Sequence, residues 1–441
     1  MAERFWAFSG MRSYDALAED TTAEVAVVGG GIAGMLTARF LTDAGFDVIL
    51  LEANRLCSGQ TGNTTAKITV QHGFCYADIL KHYGEEGARL YYEANAAALE
   101  KYKQMATFVD CDFEVVDFLA YEKKEQENLE REIDALGRIG VRAELVREVA
   151  LPCPAVGAIR AREQATFHPA RFLSAMLGGF RICENTPVTG VFSGGVQTAT
   201  GFYVHARYVV VATHFPFLRF RGGYPFKMYQ SRSYTVAVEG APHFDEMGAD
   251  GMGNGISFRQ CGDLLLLGGG AHRTGTAGGG FSVLEKEAAE LFPTARVVKR
   301  FAAQDCMTLD GMPYVGRYAM SLSDVFVATG FGKWGMTSAM LSAMLLRDLI
   351  CKNRTPYAGL FAPNRHMPPL RLLRETGAVL RHYLRPTVPR CPHLGCALRY
   401  NRQERSWDCP CHGSRFTPEG KLIDAPAKKG VRSLQNKHTN Q

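Results

Sequence analysis

Runs of apolar residues alternate along this chain with segments of helical periodicity, and their order predicts a mixed α/β structure. An apolar run at 25–28 is followed by a glycine turn, a helical pattern and a second apolar run that ends at Glu52. Helical periodicity with a charged face recurs at 85–107 and 123–138, and residues 111–120 between them have the pattern of a strand. This order predicts a nucleotide-binding α/β domain followed by further mixed structure.

A second strand–turn–helix pattern appears late in the chain. Residues 325–345, VFVATGFGKWGMTSAMLSAML, predict a buried strand, a Gly-Phe-Gly turn and a helix that begins near Met336. Earlier, glycine-rich stretches at 248–255 and 268–280 bracket the apolar run LLLL at 264–267. That run predicts a buried strand of another sheet.

The chain has 441 residues, which is too long for one ordinary core, so we expect two or three domains. The predicted division is a discontinuous nucleotide-binding domain at 22–75, 155–225 and 300–365, a substrate domain at 76–154 and 226–299, a linker helix at 366–390, and a C-terminal segment at 391–441.

Composition and charge narrow the class of protein. The hydrophobic share of 46% is that of a globular protein, and the sequence has neither an apolar run of 18 residues nor a signal-peptide core at its start. We therefore expect a cytoplasmic protein with no membrane span. The net charge of +6 comes from residues 390–441, which hold ten Lys or Arg against four Asp or Glu. This basic end is either a solvated surface or a docking face for an acidic partner, and no nucleic-acid motif accompanies it.

The glycines after the first apolar run have the spacing of a dinucleotide-binding turn. Gly29 permits a tight turn, Gly31 lets the backbone approach a diphosphate, and Gly34 lets the next helix pack closely on the strand. The helix N-terminus then presents N–H groups to the diphosphate. Glu52 is placed to accept hydrogen bonds from a ribose with free hydroxyls. These features alone do not distinguish FAD from NAD.

The rest of the chain makes that distinction. A small polar segment, SGQTGNTTAKIT at 58–69, follows the second strand, and TLDGMPYVGR at 308–317 precedes the late glycine turn. Together with GGGIAG, Glu52, VVVATH at 209–214 and ATGFGKWG, these motifs resemble the D-amino-acid oxidase-like family of FAD oxidoreductases over about residues 22–365. The resemblance implies a Rossmann-like FAD-binding domain of the glutathione-reductase type and an α+β substrate domain.

The same resemblance implies which residues bind FAD. The glycine turn and Glu52 would hold the ADP half, and N–H groups at the start of the late helix would stabilise negative charge on the reduced flavin ring. A solvated loop with helix-capping threonines is the alternative for the segment at 58–69. The implied FAD-binding residues are Gly29, Gly31, Gly34, Glu52, Thr61, Thr64, Thr65, Lys67, Val188, Gly330, Gly332, Gly335, Met336 and Thr337.

Cysteines and histidines cluster near the end of the chain, in CPHLGCALRYNRQERSWDCPCHGSRF at 391–416. Cys391 and His393 lie together in the first group, and Cys409 and His412 in the second, so each group offers one thiolate and one imidazole. A zinc site could use these four groups, but zinc sites usually pair Cys with Cys and His with His. A Rieske [2Fe–2S] centre binds one iron through two Cys and the other through two His.

CPHLGC followed by CPCHGSRF closely resembles the two cluster-binding loops of Rieske proteins. By this resemblance, Cys391 and Cys409 bind one iron, and His393 and His412 bind the other. The resemblance implies a short, all-β Rieske segment at 391–441.

The resemblance extends to four further positions. Cys396 and Cys411 stand where Rieske proteins of respiratory complexes form a disulfide, although a stable disulfide is unusual in the cytosol. Ser414 stands where a hydroxyl commonly hydrogen-bonds the cluster. Phe416 replaces a tyrosine, and the loss of its hydroxyl predicts a lower reduction potential, because donors to sulfur stabilise the reduced form.

A flavin and a [2Fe–2S] cluster in one chain predict single-electron transfer, since reduced flavin carries two electrons and the cluster accepts one. We predict a dehydrogenase that takes a hydride from a C–H next to nitrogen or oxygen of a small amine or amino-acid-like compound. Its electrons would leave through the cluster to a one-electron carrier such as a ferredoxin or flavodoxin. Alternatives are the reverse flow, from cluster to flavin, an electron relay without a small substrate, and an FAD oxidase stapled by zinc.

Residues that contact the substrate are predicted from their position near the glycine-rich turns. Amino-acid oxidases of the family often have an Arg before the DG-x-P segment, but this chain has Gln304 and Asp305 there and no Arg, which argues against an α-amino acid. Surface or core positions are the alternative for most candidates. The predicted contacts are Lys333, Trp334, Arg273 and His272, with His214, Arg232 and Tyr234 as further candidates.

Overall fold

A computed structural model describes residues 4–8, 10–218, 220–253, 255–367, 369–383, 389–432 and 434. Its strands, in chain order, are β1 (Thr21–Val28), β2 (Val48–Leu51), β3 (Lys67–Ile68), β4 (Glu114–Glu122), β5 (Glu144–Val146), β6 (Gly157–Thr166), β7 (Arg181–Cys183), β8 (Val188–Phe192), β9 (Gly195–Thr198), β10 (Tyr203–Val211), β11 (Met228–Glu239), β12 (Met247–Asp250), β13 (Ser257–Cys261), β14 (Leu264–Arg273), β15 (Arg296–Thr308), β16 (Tyr314–Ala319), β17 (Leu322–Thr329), β18 (Arg399–Asn401), β19 (Ser406–Asp408), β20 (Arg415–Phe416) and β21 (Leu422–Asp424). Its α-helices are α1 (Ile32–Asp43), α2 (Tyr76–Ala106), α3 (Gln126–Arg138), α4 (Pro169–Ala175), α5 (Tyr224–Lys227), α6 (Phe281–Leu291), α7 (Gly335–Ile350), α8 (Ala358–Phe361) and α9 (Pro369–Tyr383).

The first sheet has the parallel core expected of a nucleotide-binding domain. Its strand order is β16-β17-β10-β1-β2-β7, and β1 pairs in parallel with both β2 and β10. Strand β9 pairs with β10, and β8 pairs with β9. Val25 and Val27 of β1 belong to the hydrophobic core that contains α1 and α7, whereas Ala26 and Val28 pack into a second core. Burial on both faces explains why β1 is a continuous apolar run.

The second sheet has nine strands in the order β15-β11-β14-β13-β12-β4-β6-β3, and β5 pairs with β6. It includes β3 and β6, which we predicted to lie in the nucleotide-binding domain, and β15, which crosses the predicted boundary at 300. The predicted boundaries at 155 and 300 therefore differ from the structure. The physical reason is strand pairing, since β15 follows β11 over its whole length and β6 pairs with β4.

The C-terminal unit, residues 369–434, contains a four-stranded sheet in the order β18-β19-β20-β21. Helix α9 falls in the segment predicted as a linker, yet its Val379 packs into the same core as four cysteines and Phe416. The helix is thus part of this unit, and the four strands all come from the segment at 391–441 that we predicted to be all-β. Residues 368, 384–388, 433 and 435–441 of the predicted segments lie outside the described residues.

Within the described ranges, none of the helices combines the length and apolarity needed to cross a bilayer.

Candidate functional site

The turn between β1 and α1 is too tight for side chains at two glycines. Gly29 has φ of +110°, and a Cβ there would lie 2.5 Å from the Ala212 carbonyl oxygen. A Cβ at Gly34 would lie 1.8 Å from the Gly29 carbonyl oxygen. At Gly31, by contrast, a Cβ would meet only the Thr61 hydroxyl, at 3.2 Å. The turn therefore packs closely on its strand and helix while leaving its middle accessible, as a diphosphate requires.

Glu52 folds back on this turn from the end of β2. Its carboxylate accepts hydrogen bonds from the N–H of Gly30 at 2.6 Å and of Asn54 at 2.8 Å. Burial raises the pKa of Glu52 against the effect of these donors. Thr61 also contacts this turn, because its hydroxyl oxygen accepts a hydrogen bond from the N–H of Ile32, the first residue of α1, at 3.1 Å. These residues fit the ADP half of FAD.

The segment at 58–69 is held largely inside the protein rather than forming a solvated loop. The carbonyl of Thr64 accepts from the Trp6 indole at 2.7 Å, and that of Thr65 from the Arg259 guanidinium at 2.6 Å. Lys67 is buried in β3, and its pKa falls to about 7 because of burial and the neighbouring charge of Arg259. Threonine carbonyls thus tie this segment down, and the Thr61 hydroxyl meets the first N–H of α1.

The late glycine turn and the start of α7 meet this segment. Gly332 donates its N–H to the Cys306 carbonyl at 2.8 Å. The Thr337 hydroxyl donates to the Thr69 carbonyl at 3.0 Å and accepts from the Thr69 N–H at 3.2 Å. The structure thus brings the predicted helix start beside the segment at 58–69, whereas Val188 lies in β8 and pairs with Thr198.

Of the predicted substrate contacts, Trp334 and Lys333 lie in this turn region. The Trp334 ring stacks on His72, with ring centroids 4.9 Å apart and an interplanar angle of 16°. His72 Nδ1 lies 2.7 Å from the Tyr91 hydroxyl, and Nε2 has no hydrogen-bond partner in the described part of the chain. Burial lowers the pKa of His72 to about 3. Lys333 donates to the Ser233 hydroxyl at 2.8 Å.

Arg273 and His272 lie elsewhere, against the C-terminal unit. Arg273 pairs with Glu375 of α9, and its Nε donates to the Pro410 carbonyl at 2.8 Å. His272 Nε2 is 3.0 Å from the hydroxyl of Tyr234. The end of β14 therefore faces the cysteines, and the contact of Arg273 and His272 with the substrate stays a prediction.

Two of the three further candidates, Arg232 and Tyr234, also contact the C-terminal unit. Arg232 is paired opposite His272 in the register of β11 and β14, and its guanidinium forms an ion pair with Glu404. The Tyr234 hydroxyl donates to Glu404 at 3.1 Å. Both side chains therefore fasten the C-terminal unit to the second sheet.

Four cysteines converge in the C-terminal unit from the first cysteine loop (residues 391–396) and the second cysteine loop (residues 409–414). The sulfurs of Cys396, Cys409 and Cys411 all lie within 4.8 Å of one another, and the Cys391 thiol hydrogen-bonds to Cys409. That hydrogen bond from Cys391 holds the pKa of Cys409 well below its usual value, which favours the thiolate that binds metal. All four are free thiols, so the disulfide between Cys396 and Cys411 stays a prediction.

The two histidines complete this donor set. The rings of His393 and His412 are 5.0 Å apart and perpendicular. His412 Nε2–H donates to the Pro225 carbonyl at 3.1 Å, which leaves the lone pair on Nδ1. Nδ1 is buried and has no hydrogen-bond partner among the described residues. The Ser414 hydroxyl lies against the Cys391 sulfur. These donors fit a cluster bound by thiolates and imidazoles.

Comparison with known families identifies both parts of the chain. Residues 24–349 match the model of the FAD dependent oxidoreductase family, and residues 363–435 match the Rieske [2Fe-2S] domain. The chain belongs to the FAD-dependent oxidoreductases, and it carries a C-terminal Rieske domain. It is an enzyme whose two domains bind FAD and a [2Fe–2S] cluster.

Its similarity to particular proteins covers either the whole chain or one part. The Rieske 2Fe-2S iron-sulfur protein YhfW of Bacillus subtilis (strain 168) is 31% identical over 98% of this chain and 97% of its own. Gamma-glutamylputrescine oxidoreductase of Escherichia coli (strain K12) is 30% identical over 45% of this chain and 50% of its own. Glycine oxidase from Geobacillus kaustophilus superposes with a TM-score of 0.64 at 21% identity, covering 79% of this chain and all of its own.

The family, the fold class and both cofactors predicted from the sequence are thus confirmed. The individual FAD, cluster and substrate residues stay predictions. Residues at the contact between the two parts, such as Gln230, Glu375 and Glu404, were not predicted. No local motif marks them, because their role arises only when β11 and α9 meet the cysteine loops.

Proposed function

We propose that this protein is a dehydrogenase that oxidises a small amine or amino-acid-like compound and passes electrons singly between FAD and the Rieske cluster. The observation that carries the proposal is the burial of His412 against the flavoprotein. Its ring lies edge-on to Phe215, with centroids 5.9 Å apart, and its Nε2–H is held by Pro225. A predicted iron ligand therefore lies at the contact between the two cofactor domains.

The peptide that carries Phe215 also connects to both glycine turns. Phe215 follows the end of β10, where the Ala212 carbonyl lies against Gly29. Two residues after Ala212, the His214 carbonyl accepts a hydrogen bond from the Cys306 thiol at 3.3 Å. The Cys306 carbonyl in turn accepts from the Gly332 N–H. This continuous set of contacts supports a short route for electrons between the two domains.

When bound, FAD supplies a two-electron acceptor and the cluster a one-electron carrier. The protein's own contribution on the substrate side would come from Trp334, His72 and Lys333. His72 is neutral at ordinary pH because burial lowers its pKa, and when its Nδ1–H donates to Tyr91 its Nε2 can accept a hydrogen bond from an amine. The name of the E. coli relative supports an amine-like substrate.

A cysteine-to-serine pair of variants tests the relay. Cys409→Ser removes a predicted cluster ligand, whereas Cys351→Ser changes a partly exposed cysteine at the end of α7 and serves as the control. Each protein is mixed anaerobically with a panel of primary and secondary amines, and flavin absorbance and the reduced-cluster EPR signal are followed.

We expect an active amine to bleach the flavin in all three proteins. Only the unaltered protein and Cys351→Ser should then develop the cluster signal and turn over with a one-electron acceptor. Turnover of Cys409→Ser at the full rate would contradict the relay. If no amine reduces the flavin, but a chemically reduced cluster does, the result would favour electron flow from the cluster to the flavin.

A further inference from the structure

Three side chains of the second sheet donate hydrogen bonds to the backbone of the second cysteine loop. Gln230 lies on β11, Gln304 on β15 and Arg273 at the end of β14. Both glutamines are buried at 1% exposure, although each carries a polar amide. Buried amides are normally kept where their hydrogen bonds are needed, so the partners of these three side chains matter.

Arg273 binds the first two carbonyls of the Pro410–Gly413 stretch. Its Nε lies 2.8 Å from the Pro410 oxygen, and a terminal nitrogen lies 3.3 Å from the Cys411 oxygen. Glu375 of α9 pairs with the same guanidinium. The charge of Arg273 is therefore balanced, and its fork of donors is fixed in orientation.

The two glutamines bind the next two carbonyls. Gln230 Nε2 donates to the His412 carbonyl at 2.6 Å, and Gln304 Nε2 donates to the Gly413 carbonyl at 2.7 Å. Gln304 also donates to the Gln230 side-chain oxygen at 2.5 Å. Four successive carbonyls of the loop thus accept hydrogen bonds from the flavoprotein.

Glycines let the two surfaces approach this closely. A Cβ at Gly413 would lie 2.6 Å from the Gln230 Cβ, and a Cβ at Gly275 would lie 2.6 Å from the Pro410 nitrogen. Gly413 also has φ of +79°, which favours glycine. The backbone of the loop is therefore built to lie directly on the sheet.

The hydrogen bonds to these carbonyls also affect the N–H at the other end of each peptide group. A carbonyl that accepts a hydrogen bond polarises its peptide and makes the N–H of the same peptide a stronger donor. The N–H groups of Cys411, His412 and Ser414 have no hydrogen-bond partner in the described part of the chain. They belong to the peptides whose carbonyls Arg273 and Gln304 hold. Such donors stabilise the extra negative charge of a reduced cluster and raise its potential.

We propose that Arg273, Gln230 and Gln304 are positioning residues for the cluster. By holding the second cysteine loop through its carbonyls, Arg273 and Gln304 keep its free N–H groups available to the cluster sulfurs. Gln230 holds the same loop at the His412 carbonyl and accepts a hydrogen bond from the Gln304 amide, which fixes that amide in place. The three residues therefore raise the potential of the one-electron reduction that converts one Fe(III) of the cluster to Fe(II). This inference rests on the contact between the second sheet and the second cysteine loop, and it is independent of the substrate and of the direction of electron flow.

The test uses the full-length protein with FAD and cluster bound. Gln304→Met and Gln230→Met keep the side-chain length but remove the donor, and Gln126→Met on the exposed face of α3 is the matched control. The midpoint potential is measured by anaerobic redox titration followed by the reduced-cluster EPR signal. At a fixed solution potential, we expect Gln304→Met and Gln230→Met each to lower the ratio of reduced to oxidised cluster by roughly fivefold to tenfold. The control and the FAD content should be unchanged.

Arg273→Lys provides a second measurement if the methionine variants lose iron. Lysine keeps a positive charge near Glu375, but a single ammonium cannot reproduce the fork that meets Pro410 and Cys411. The same fall in potential is expected in this variant. An unchanged or higher potential in the iron-containing Arg273→Lys protein, or in either methionine variant that retains iron, would overturn the proposal.

Discussion

Single atoms decide what the turn after β1 can accommodate. Gly29 and Gly34 face each other across this turn, with the Gly29 carbonyl where a Cβ of residue 34 would be. Gly34 is nevertheless inside α1, where alanine would be the better helix former by about 1 kcal/mol. Close packing of helix on strand therefore overrides helix propensity at this position.

Gly34→Ala should release FAD and destabilise the protein by about 3 kcal/mol, because α1 must move away from β1 to admit the methyl group. Flavin absorbance per chain and urea unfolding measure the two effects. Gly137→Ala is the control, since residue 137 is also helical and nothing lies within 4 Å of its added Cβ. That variant should be as stable as the unaltered protein or slightly more so, and equal effects of the two alanines would contradict the packing argument.

A second residue-scale feature is the buried ion pair between Asp310 and Arg365. The Asp310 carboxylate accepts from Arg365 at 2.7 and 2.8 Å and from the Tyr83 hydroxyl at 2.8 Å. Burial alone would raise the pKa of Asp310, but the hydrogen bonds and charge of Arg365 hold it below its usual value. This carboxylate links the segment before β16 to the segment after α8.

Asp310→Asn should cost about 3–5 kcal/mol at pH 7, because it leaves a buried guanidinium without its counter-charge. The folded pKa is lower than the unfolded pKa, so the stabilisation is complete above about pH 4 and is lost as pH falls through the folded value. The difference between the two proteins in urea unfolding should therefore shrink below pH 4. A difference that stays constant from pH 7 to pH 3 would show that ionisation of Asp310 is not its cause.

At the scale of elements, α9 supports the cysteine loops. Val379 is buried among the cysteine side chains, and the Cys411 thiol lies 3.9 Å from the Val379 carbonyl. Its neighbour Leu380 is 56% exposed. One residue of the helix therefore covers the sulfur donors while the next faces away from them.

Val379→Ala should cost about 2 kcal/mol through lost burial and a new cavity beside the cysteines. We expect a lower iron content per chain and faster bleaching of the cluster in air, at unchanged FAD content. Leu380→Ala removes a larger side chain from the same helix but should retain iron. Equal loss of iron from both variants would mean that helix formation, and not contact with the cysteines, is what matters.

At the scale of the whole molecule, buried charges join the two domains. Glu404, between β18 and β19, forms ion pairs with Arg232 of β11 and Arg415 of β20. Burial would raise the pKa of Glu404, but the two guanidinium groups hold it at about 2. The group therefore remains ionised in moderately acidic solution and keeps the domains together there.

We expect the unaltered protein to unfold in one calorimetric transition and Glu404→Gln to unfold in two, with the C-terminal unit melting first. The expected cost is about 3–5 kcal/mol at pH 7, because two buried cations lose their partner. Since the folded pKa is depressed, this stabilisation persists above about pH 4.5 and is lost only as pH falls towards 2. Glu290→Gln, on the exposed face of α6, is the control. A single unshifted transition in Glu404→Gln would contradict this role.

The structure agrees best with the predictions that rest on residues close together in the chain. The glycine turn, Glu52 and the start of α7 are local patterns, and the structure has each of them in the expected element. The predicted boundaries at 155 and 300 do not follow the sheet pairing, because β6 and β15 pair with strands far away in the chain, and an apolar strand pattern does not say which sheet it joins. The contact of Arg273 with Glu375 and Pro410 likewise joins segments that are far apart in the chain.

The sequence by itself determined the family and the two cofactors, since turns and ligand spacings are set by residues that are close in the chain. Tertiary structure alone decided how the two domains meet. It brought Gln230, Gln304 and Arg273 from three strands onto one cysteine loop and placed His412 against Phe215. Such contacts depend on strand register and on the packing of a whole domain, and no short segment of sequence encodes either of them.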